Sequence, residues 1–153
     1  MDATPQTGEL ALDECWRLLA NTVTGRLALV VDGHPEIFPI NFIVERRTIA
    51  FRTGAGTKLL ELMEGAEAAI EIDGYDDRDE EAWSVVVKGT AALIESQGER
   101  SAVDTLGLEP WEPGSKSHYV RLAPRTVTGR RFKVAVPDLW SSRLNDRRRS
   151  SFE

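Results

Sequence analysis

Hydrophobic and polar positions repeat with two different periods along the chain, and the change of period separates helices from strands. Near the start, apolar residues recur at the spacing of one helical face: Leu12, Cys15, Trp16 and Leu19. We predict a helix that begins near Asp13, whose side chain suits an N-cap. Cys15 lies on the apolar face, so we interpret it as a core residue and not as a nucleophile.

Strand patterns follow this helix and come in runs separated by turn residues. The runs are GRLALVV, EIFPINFIVE, RRTIAFRT, EAAIEIDG, WSVVVKGTAALIE and HYVRLAPRTVTGRRFKV. Two further segments, TKLLELMEG and SQGERSAVDTLGL, are typical of short helices. About six strands in runs with tight turns favour a mainly β fold, an antiparallel barrel with flanking helices, over a fold of alternating strands and helices.

Two residues interrupt the strand patterns. Pro39 lies inside the second run, and because proline cannot donate to a sheet ladder, we expect an edge, a bulge or an opening there. An opening would let a ligand meet the backbone. Gly89 lies in the middle of the longest run and indicates a bulge or a sharp bend.

Composition narrows the class of protein. A length of 153 residues suggests one domain, and no run approaches the roughly 18 apolar residues of a membrane-spanning helix. The first residues lack the pattern of a secretory signal, and a single cysteine cannot form an internal disulfide. We therefore expect a cytoplasmic protein without a membrane partner.

Charge is distributed unevenly. The net charge is −6, yet residues 121–153 carry nine basic and three acidic side chains. An acidic body argues against nucleic acid as a partner. We divide the chain into a flexible N-terminal arm over residues 1–10, one domain over 11–136 and a basic, mobile tail over 137–153.

The segment FRTGAGTK, residues 51–58, combines a strand end, a glycine turn and a helix start. Free N–H groups at a helix start attract anions, and the two glycines allow a close approach of the backbone. The surrounding donors are those that a phosphate needs: Arg52, Thr53, Thr57 and Lys58. An ordinary turn, with Thr57 capping the helix and Lys58 in water, is the alternative. No residues have metal-ligand spacing, and no Ser-His-Asp arrangement can be argued.

Five segments in order resemble the flavin-binding split-barrel proteins related to pyridoxamine 5′-phosphate oxidase, especially short actinobacterial members. They are LDECWRLLANTVTGRLAL, PINFIVE, IAFRTGAGTKL, WSVVVKGTA and WEPGSKSHYVRLAPRTVTGRR, which together extend from about Leu12 to Phe132. The resemblance implies a six-stranded antiparallel split β-barrel. It also implies a homodimer with two flavin sites at its interface.

The resemblance further implies roles for individual residues. It assigns Arg52, Thr53, Thr57 and Lys58 to the FMN phosphate, and it places Pro39, Ile40 and Asn41 along the isoalloxazine ring. It makes Trp83 and Ser84 neighbours of the flavin, from the same chain or across the interface. A core tryptophan at the start of a strand is the alternative for Trp83. A turn or bulge residue is the alternative for Asn41.

These assignments lead to three hypotheses about function. The first is an FMN-dependent oxidoreductase that acts on a small organic substrate. The second keeps the barrel but replaces FMN by a deazaflavin (coenzyme F420) or by haem. The third is a non-catalytic flavin-binding module. The C-terminal residues with which the full oxidase holds its substrate phosphate are not found in this sequence, so we do not expect pyridoxamine phosphate as the substrate.

Overall fold

A computed structural model describes residues 8–54, 56–76, 78–109 and 118–134, and of Thr57 and Lys58 it describes the backbone alone. The predicted tail over 137–153 and most of the predicted N-terminal arm lie outside these residues. The described elements, in chain order, are β1 Gly8–Glu9, α1 Leu12–Ala20, β2 Thr24–Val31, β3 His34–Glu45, β4 Thr48–Thr53, α2 Thr57–Met63, β5 Glu67–Asp76, β6 Glu81–Leu93, α3 Gln97–Thr105 and β7 His118–Lys133.

Six strands close into a ring in the order β7-β4-β3-β2-β5-β6, because β6 pairs with β7 again. Every pairing is antiparallel. The ring confirms the predicted mainly β fold of six strands with flanking helices. The two-residue β1 joins its edge, where Gly8 and Glu9 pair with Arg131 and Arg130.

One strand splits the ring. The first part of β3, His34 to Asn41, pairs with β2, whereas its last part, Phe42 to Glu45, pairs with β4. Pro39 lies before this change of partner. It pairs with Arg26 of β2 and has no β4 residue on its other edge. The opening predicted at Pro39 is therefore present.

The barrel interior is the main core. Alternate residues of each strand point into it, so Ile49 and Phe51 of β4 are almost fully buried. Helix α1 contributes Cys15, Trp16 and Leu19 to the same core. The N-cap of the helix is Ala11, two residues before the predicted Asp13, which lies in the first turn.

A smaller second core lies on the outside of the barrel, beneath α3. It contains Ala50, Ile94, Val103, Leu108 and Tyr119. Since Ala50 lies between the inward-pointing Ile49 and Phe51, this cluster belongs to the outer face of β4 and β7. Helix α3 therefore covers the outer face beside the split.

The predicted irregularity at Gly89 is confirmed. Lys88 pairs with Thr126 and Gly89 with Pro124, so Arg125 of β7 has no residue opposite it. The close approach explains the glycine, because a Cβ added to Gly89 would lie 2.0 Å from the carbonyl oxygen of Ala123. The bulge bends the long β6–β7 ladder.

Candidate functional site

The candidate site lies where β3 leaves β4. The last pair of the β3–β4 ladder is Phe42 and Phe51, and both side chains are buried in the barrel. The next residues beyond that pair are Asn41 and Arg52, one on each side of the opening. Strand alternation places both on the outer face. Thus the split brings together two residues that the sequence predicted for a flavin site.

Asn41 is held by its neighbour on β2. The hydroxyl of Thr24 donates to Asn41 Oδ1 at 2.8 Å. That bond uses the amide oxygen as an acceptor and fixes the side-chain plane. The amide NH2 group makes no hydrogen bond to the described part of the chain, so it is a donor suited to a ligand.

A groove of about 330 Å³ runs beside Asn41. Its volume is at the lower end of the range usual for small-molecule sites. Most of the lining is apolar, and it comes from β3, from the end of α1 and from the chain after α3: Ala20, Thr22, Val23, Asn41, Phe42, Ile43, Val44, Leu106, Gly107, Leu108 and Glu109. The groove therefore combines an apolar wall with one amide at its edge.

Arg52 lies against an aromatic ring. Its guanidinium carbon is 5.1 Å from the centre of the Tyr119 ring, and Tyr119 pairs with it in the β4–β7 ladder. The Tyr119 hydroxyl donates to Asp104 Oδ1 of α3 at 2.7 Å. This hydrogen bond, together with burial, raises the pKa of Tyr119, so the ring stays neutral at ordinary pH.

The glycine turn continues from Arg52 toward α2. Thr53 ends β4, and both Gly54 and Gly56 are exposed. Gly56 is the N-cap residue of α2 and, as a glycine, has no side chain with which to cap the helix. The side chains of Thr57 and Lys58 lie outside the described part, and their assignment to a phosphate stays a prediction.

Two of the predicted residues point into the barrel. Ile40 is 6% exposed and belongs to the main core, so only its backbone borders the opening. Trp83 packs against the same core, and its ring covers Gly74, where an added Cβ would lie 2.4 Å from the ring. Pro39 is exposed on the outer face. Of the three ring-side residues, Pro39 and Asn41 thus present side chains outward.

Ser84 lies in a different place. It lines a second groove of about 290 Å³ on the outer face of β6 and β7, with Val86, Lys88, Thr128, Gly129 and Arg130. Ser84 pairs with Arg130, eleven residues along β7 from the Tyr119 that pairs with Arg52. That separation corresponds to about 35 Å of strand. Ser84 thus lines a groove that shares no lining residue with the groove beside Asn41.

Three residues near Arg52 were not predicted from the sequence. Tyr119, Asp104 and Arg100 belong to β7 and α3, and Arg100 Cζ lies 5.8 Å from the same tyrosine ring. No motif signals them, because Tyr119 contacts Arg52 only through the pairing of β7 with β4, and Asp104 and Arg100 contact Tyr119 in turn.

Other candidate chemistry contributes little. Burial raises the pKa of the Cys15 thiol, which fits the predicted core role. In the described ranges, no three His, Cys, Asp or Glu side chains are arranged to hold a metal ion. None of the helices described is long and apolar enough to span a bilayer.

Comparison with known proteins identifies relatives over most of the chain. The uncharacterised protein Rv0080 of Mycobacterium tuberculosis is 32% identical; the alignment covers 83% of this chain and 89% of that protein. The structure of an FAD-binding protein from Mycobacterium smegmatis is 36% identical, with a TM-score of 0.69; the match covers 82% of this chain and 98% of that one.

A third relative supports the same grouping. A provisionally assigned pyridoxamine 5′-phosphate oxidase from Corynebacterium glutamicum is 35% identical, with a TM-score of 0.76, over 84% of this chain and all of that one. The sequence profile described as pyridoxamine 5′-phosphate oxidase matches residues 11–131. The chain therefore belongs to the pyridoxamine 5′-phosphate oxidase family.

Proposed function

We propose that this protein binds a flavin at the split between β3 and β4 and uses it as an oxidoreductase on a small organic substrate. One observation carries the proposal. Asn41 and Arg52, which the family resemblance assigned to the two ends of a flavin, flank one opening on the outer face, beside a mostly apolar groove.

The phosphate end is proposed to lie against Arg52 and the turn that follows it. A guanidinium presents a planar set of donors that matches a phosphate, and the exposed glycines leave the backbone N–H groups accessible. Thr53, Thr57 and Lys58 complete the proposed set. Each charged hydrogen bond contributes about 1.5–3 kcal/mol, so several together offset the desolvation of the phosphate.

The ring is proposed to lie along β3 toward the apolar groove. Pro39 and Asn41 contact it through side chains, and Ile40 contacts it through its backbone. The Asn41 amide donates to the polar edge of the ring, while Thr24 keeps the amide in place.

In this proposal, the Ser84 that contacts a given flavin belongs to a second copy of the chain. Ser84 lines a groove that shares no lining residue with the groove beside Asn41, and this separation supports a site to which two copies contribute. The outer faces of β2 and β3 expose Val30 at 68% and Ile37 at 67%, which is apolar surface that a partner would cover. We therefore propose a homodimer with two shared sites. Trp83 supports Ser84 from inside the barrel and approaches the flavin only through the backbone of β6.

The chemistry of the proposed enzyme belongs to the cofactor. A bound flavin supplies hydride or electron transfer, and the protein supplies orientation and electrostatics. Arg52 holds the anionic end, Asn41 orients the ring, and the apolar groove excludes water from the ring. The proposal keeps the cytoplasmic location expected from the sequence.

FAD is a second candidate for the cofactor. The observation that favours it is the 36% identity to an FAD-binding protein of known structure. FAD contains the same ring and the same first phosphate as FMN, so the split suits both. The adenosine part of FAD would need further space beyond the glycine turn.

Titration of the purified protein with FMN, FAD, riboflavin and a deazaflavin cofactor tests the proposal. We expect FMN or FAD to bind at micromolar concentration or below, and riboflavin to bind at least about tenfold more weakly because it lacks the phosphate. Preferential deazaflavin binding would overturn the flavin assignment. If NADH and NADPH do not reduce the bound flavin and no oxidant reoxidises it, the protein is a flavin-binding module and not an enzyme.

A further inference from the structure

We propose that Tyr119 and Asp104 position the Arg52 guanidinium for the phosphate, so that α3 belongs to the machinery of the site. The inference rests on the proposed function, since it concerns the same phosphate. It adds a positioning role for two residues that no sequence motif indicates.

The first argument is the contact between Arg52 and Tyr119. The two residues are opposite each other in the β4–β7 ladder, and the guanidinium carbon lies 5.1 Å from the ring centre. This is within cation–π distance. Tyr119 is only 9% exposed, so the ring side of the guanidinium is shielded from water and the attraction is stronger than at an open surface.

The second argument is that the ring is itself fixed. The Tyr119 hydroxyl donates to Asp104 Oδ1 at 2.7 Å. The backbone carbonyl oxygen of Tyr119 accepts from the Ile94 N–H at 2.8 Å. Arg100 Nε donates in turn to the Ile94 carbonyl at 2.9 Å, which ties the start of α3 to the same place. A ring held by its hydroxyl and its backbone offers Arg52 one surface in one orientation.

The third argument concerns how the fixed orientation of the Arg52 guanidinium raises its affinity for a phosphate. An unrestrained arginine side chain has many rotamers, and binding a phosphate would require it to lose them. A guanidinium already stacked on a fixed ring loses fewer, so more of the hydrogen-bond energy appears as affinity. Because the phosphate is the part of the flavin that is proposed to contact Arg52, the effect should be confined to flavins that carry a phosphate.

The test compares the FMN and riboflavin affinities of matched variants. Tyr119→Leu removes the ring and should reduce the FMN-to-riboflavin affinity ratio by about tenfold. Tyr119→Phe and Asp104→Asn keep the ring but remove or weaken its anchor, and each should reduce the ratio by about two- to threefold. The riboflavin affinity itself should stay unchanged in all three.

Arg121→Gln is the matched control. Arg121 is the next outward residue on β7, and it donates to Thr48 Oγ1 at 2.6 Å and to Glu45 Oε2 at 3.1 Å. Its loss should lower the melting temperature and leave the ratio unchanged. Arg52→Met is the positive control, and it should abolish the preference for FMN.

The outcomes separate the inference from the function on which it rests. If Arg52→Met abolishes the preference while Tyr119→Leu and Tyr119→Phe keep it, the positioning role is wrong and the flavin site stands. Equal losses of FMN and riboflavin affinity in the Tyr119 variants would also overturn it, because they would indicate general packing. If the wild-type protein binds no flavin, the proposed function fails first.

Discussion

Arg26 lies between two carboxylates on the outer face of the barrel. Its Nη1 atom is 3.4 Å from Glu71 Oε2 and 3.3 Å from Asp73 Oδ2. One guanidinium does not balance both: burial and the neighbouring Asp73 outweigh Arg26 and raise the pKa of Glu71 to about 7. Glu71 is therefore the described carboxylate whose charge is most costly at neutral pH.

The substitution Glu71→Gln tests the cost of the Glu71 charge, because its effect on the free energy of unfolding should depend on pH. A carboxyl with a raised pKa stabilises the fold while protonated, and that contribution is lost as the pH rises from about 4.5 to above 7. The variant should thus unfold with a free energy up to about 1 kcal/mol higher than wild type at pH 8, after allowance for the exposure of Glu71. The gain should shrink toward zero at pH 5.

Urea denaturation at pH 5 and pH 8, at one protein concentration, measures the difference. Glu95→Gln, at an exposed glutamate without an ion pair among the described residues, is the control. A Glu71→Gln protein that is less stable than wild type at pH 8 would mean that the Arg26 pair outweighs the repulsion.

Among the predicted site residues, sequence reasoning could anticipate only local features. Pro39 indicated an opening because proline has no N–H to donate to the ladder, and Asn41 and Arg52 lie on either side of that opening. Their contact with a flavin stays a prediction. Tyr119 and Asp104 could not be predicted, because Tyr119 contacts Arg52 only once β7 pairs with β4, and Asp104 is linked to Arg52 only through the Tyr119 hydroxyl. The outward or inward direction of Ile40 and Ser84 likewise required the register of the ladders.

At the scale of elements, periodic segments were predictable, including the short helices α2 and α3, whereas the two-residue β1 was not. The alternation in β6 puts Val85, Val87 and Ala91 inside the barrel. The last segment is one sixteen-residue strand, β7, which pairs with both β4 and β6. The bulge opposite Gly89 lies within its pairing with β6. β1 has two residues, too few for any period, and it depends on pairing with β7.

At the scale of the whole molecule, the proposed site requires two chains. Arg52 and Ser84 lie at opposite ends of the β7 strand that connects their partners, Tyr119 and Arg130. A partner copy that covers the exposed Val30 and Ile37 would bring its own Ser84 face to the split. This arrangement predicts how two defective copies behave together.

Co-expression of differently tagged Arg52→Met and Ser84→Trp chains tests the arrangement. Each variant alone should bind almost no flavin, the first for lack of the cation and the second because tryptophan fills the groove at Ser84. In the mixed dimer one site carries both changes and the other carries neither, so about one flavin should bind per two chains. If both residues served a site within one chain, the mixed dimer would bind none.

The most direct measurement of the central claim is a crystal structure of the protein with bound FMN. The account predicts the phosphate within about 3 Å of the Arg52 guanidinium and of backbone N–H groups at the start of α2, with the ring along Pro39–Asn41. A flavin phosphate bound elsewhere, for example between Lys88 and Arg130 on the outer face of β6 and β7, with Arg52 not in contact with it, would contradict the account.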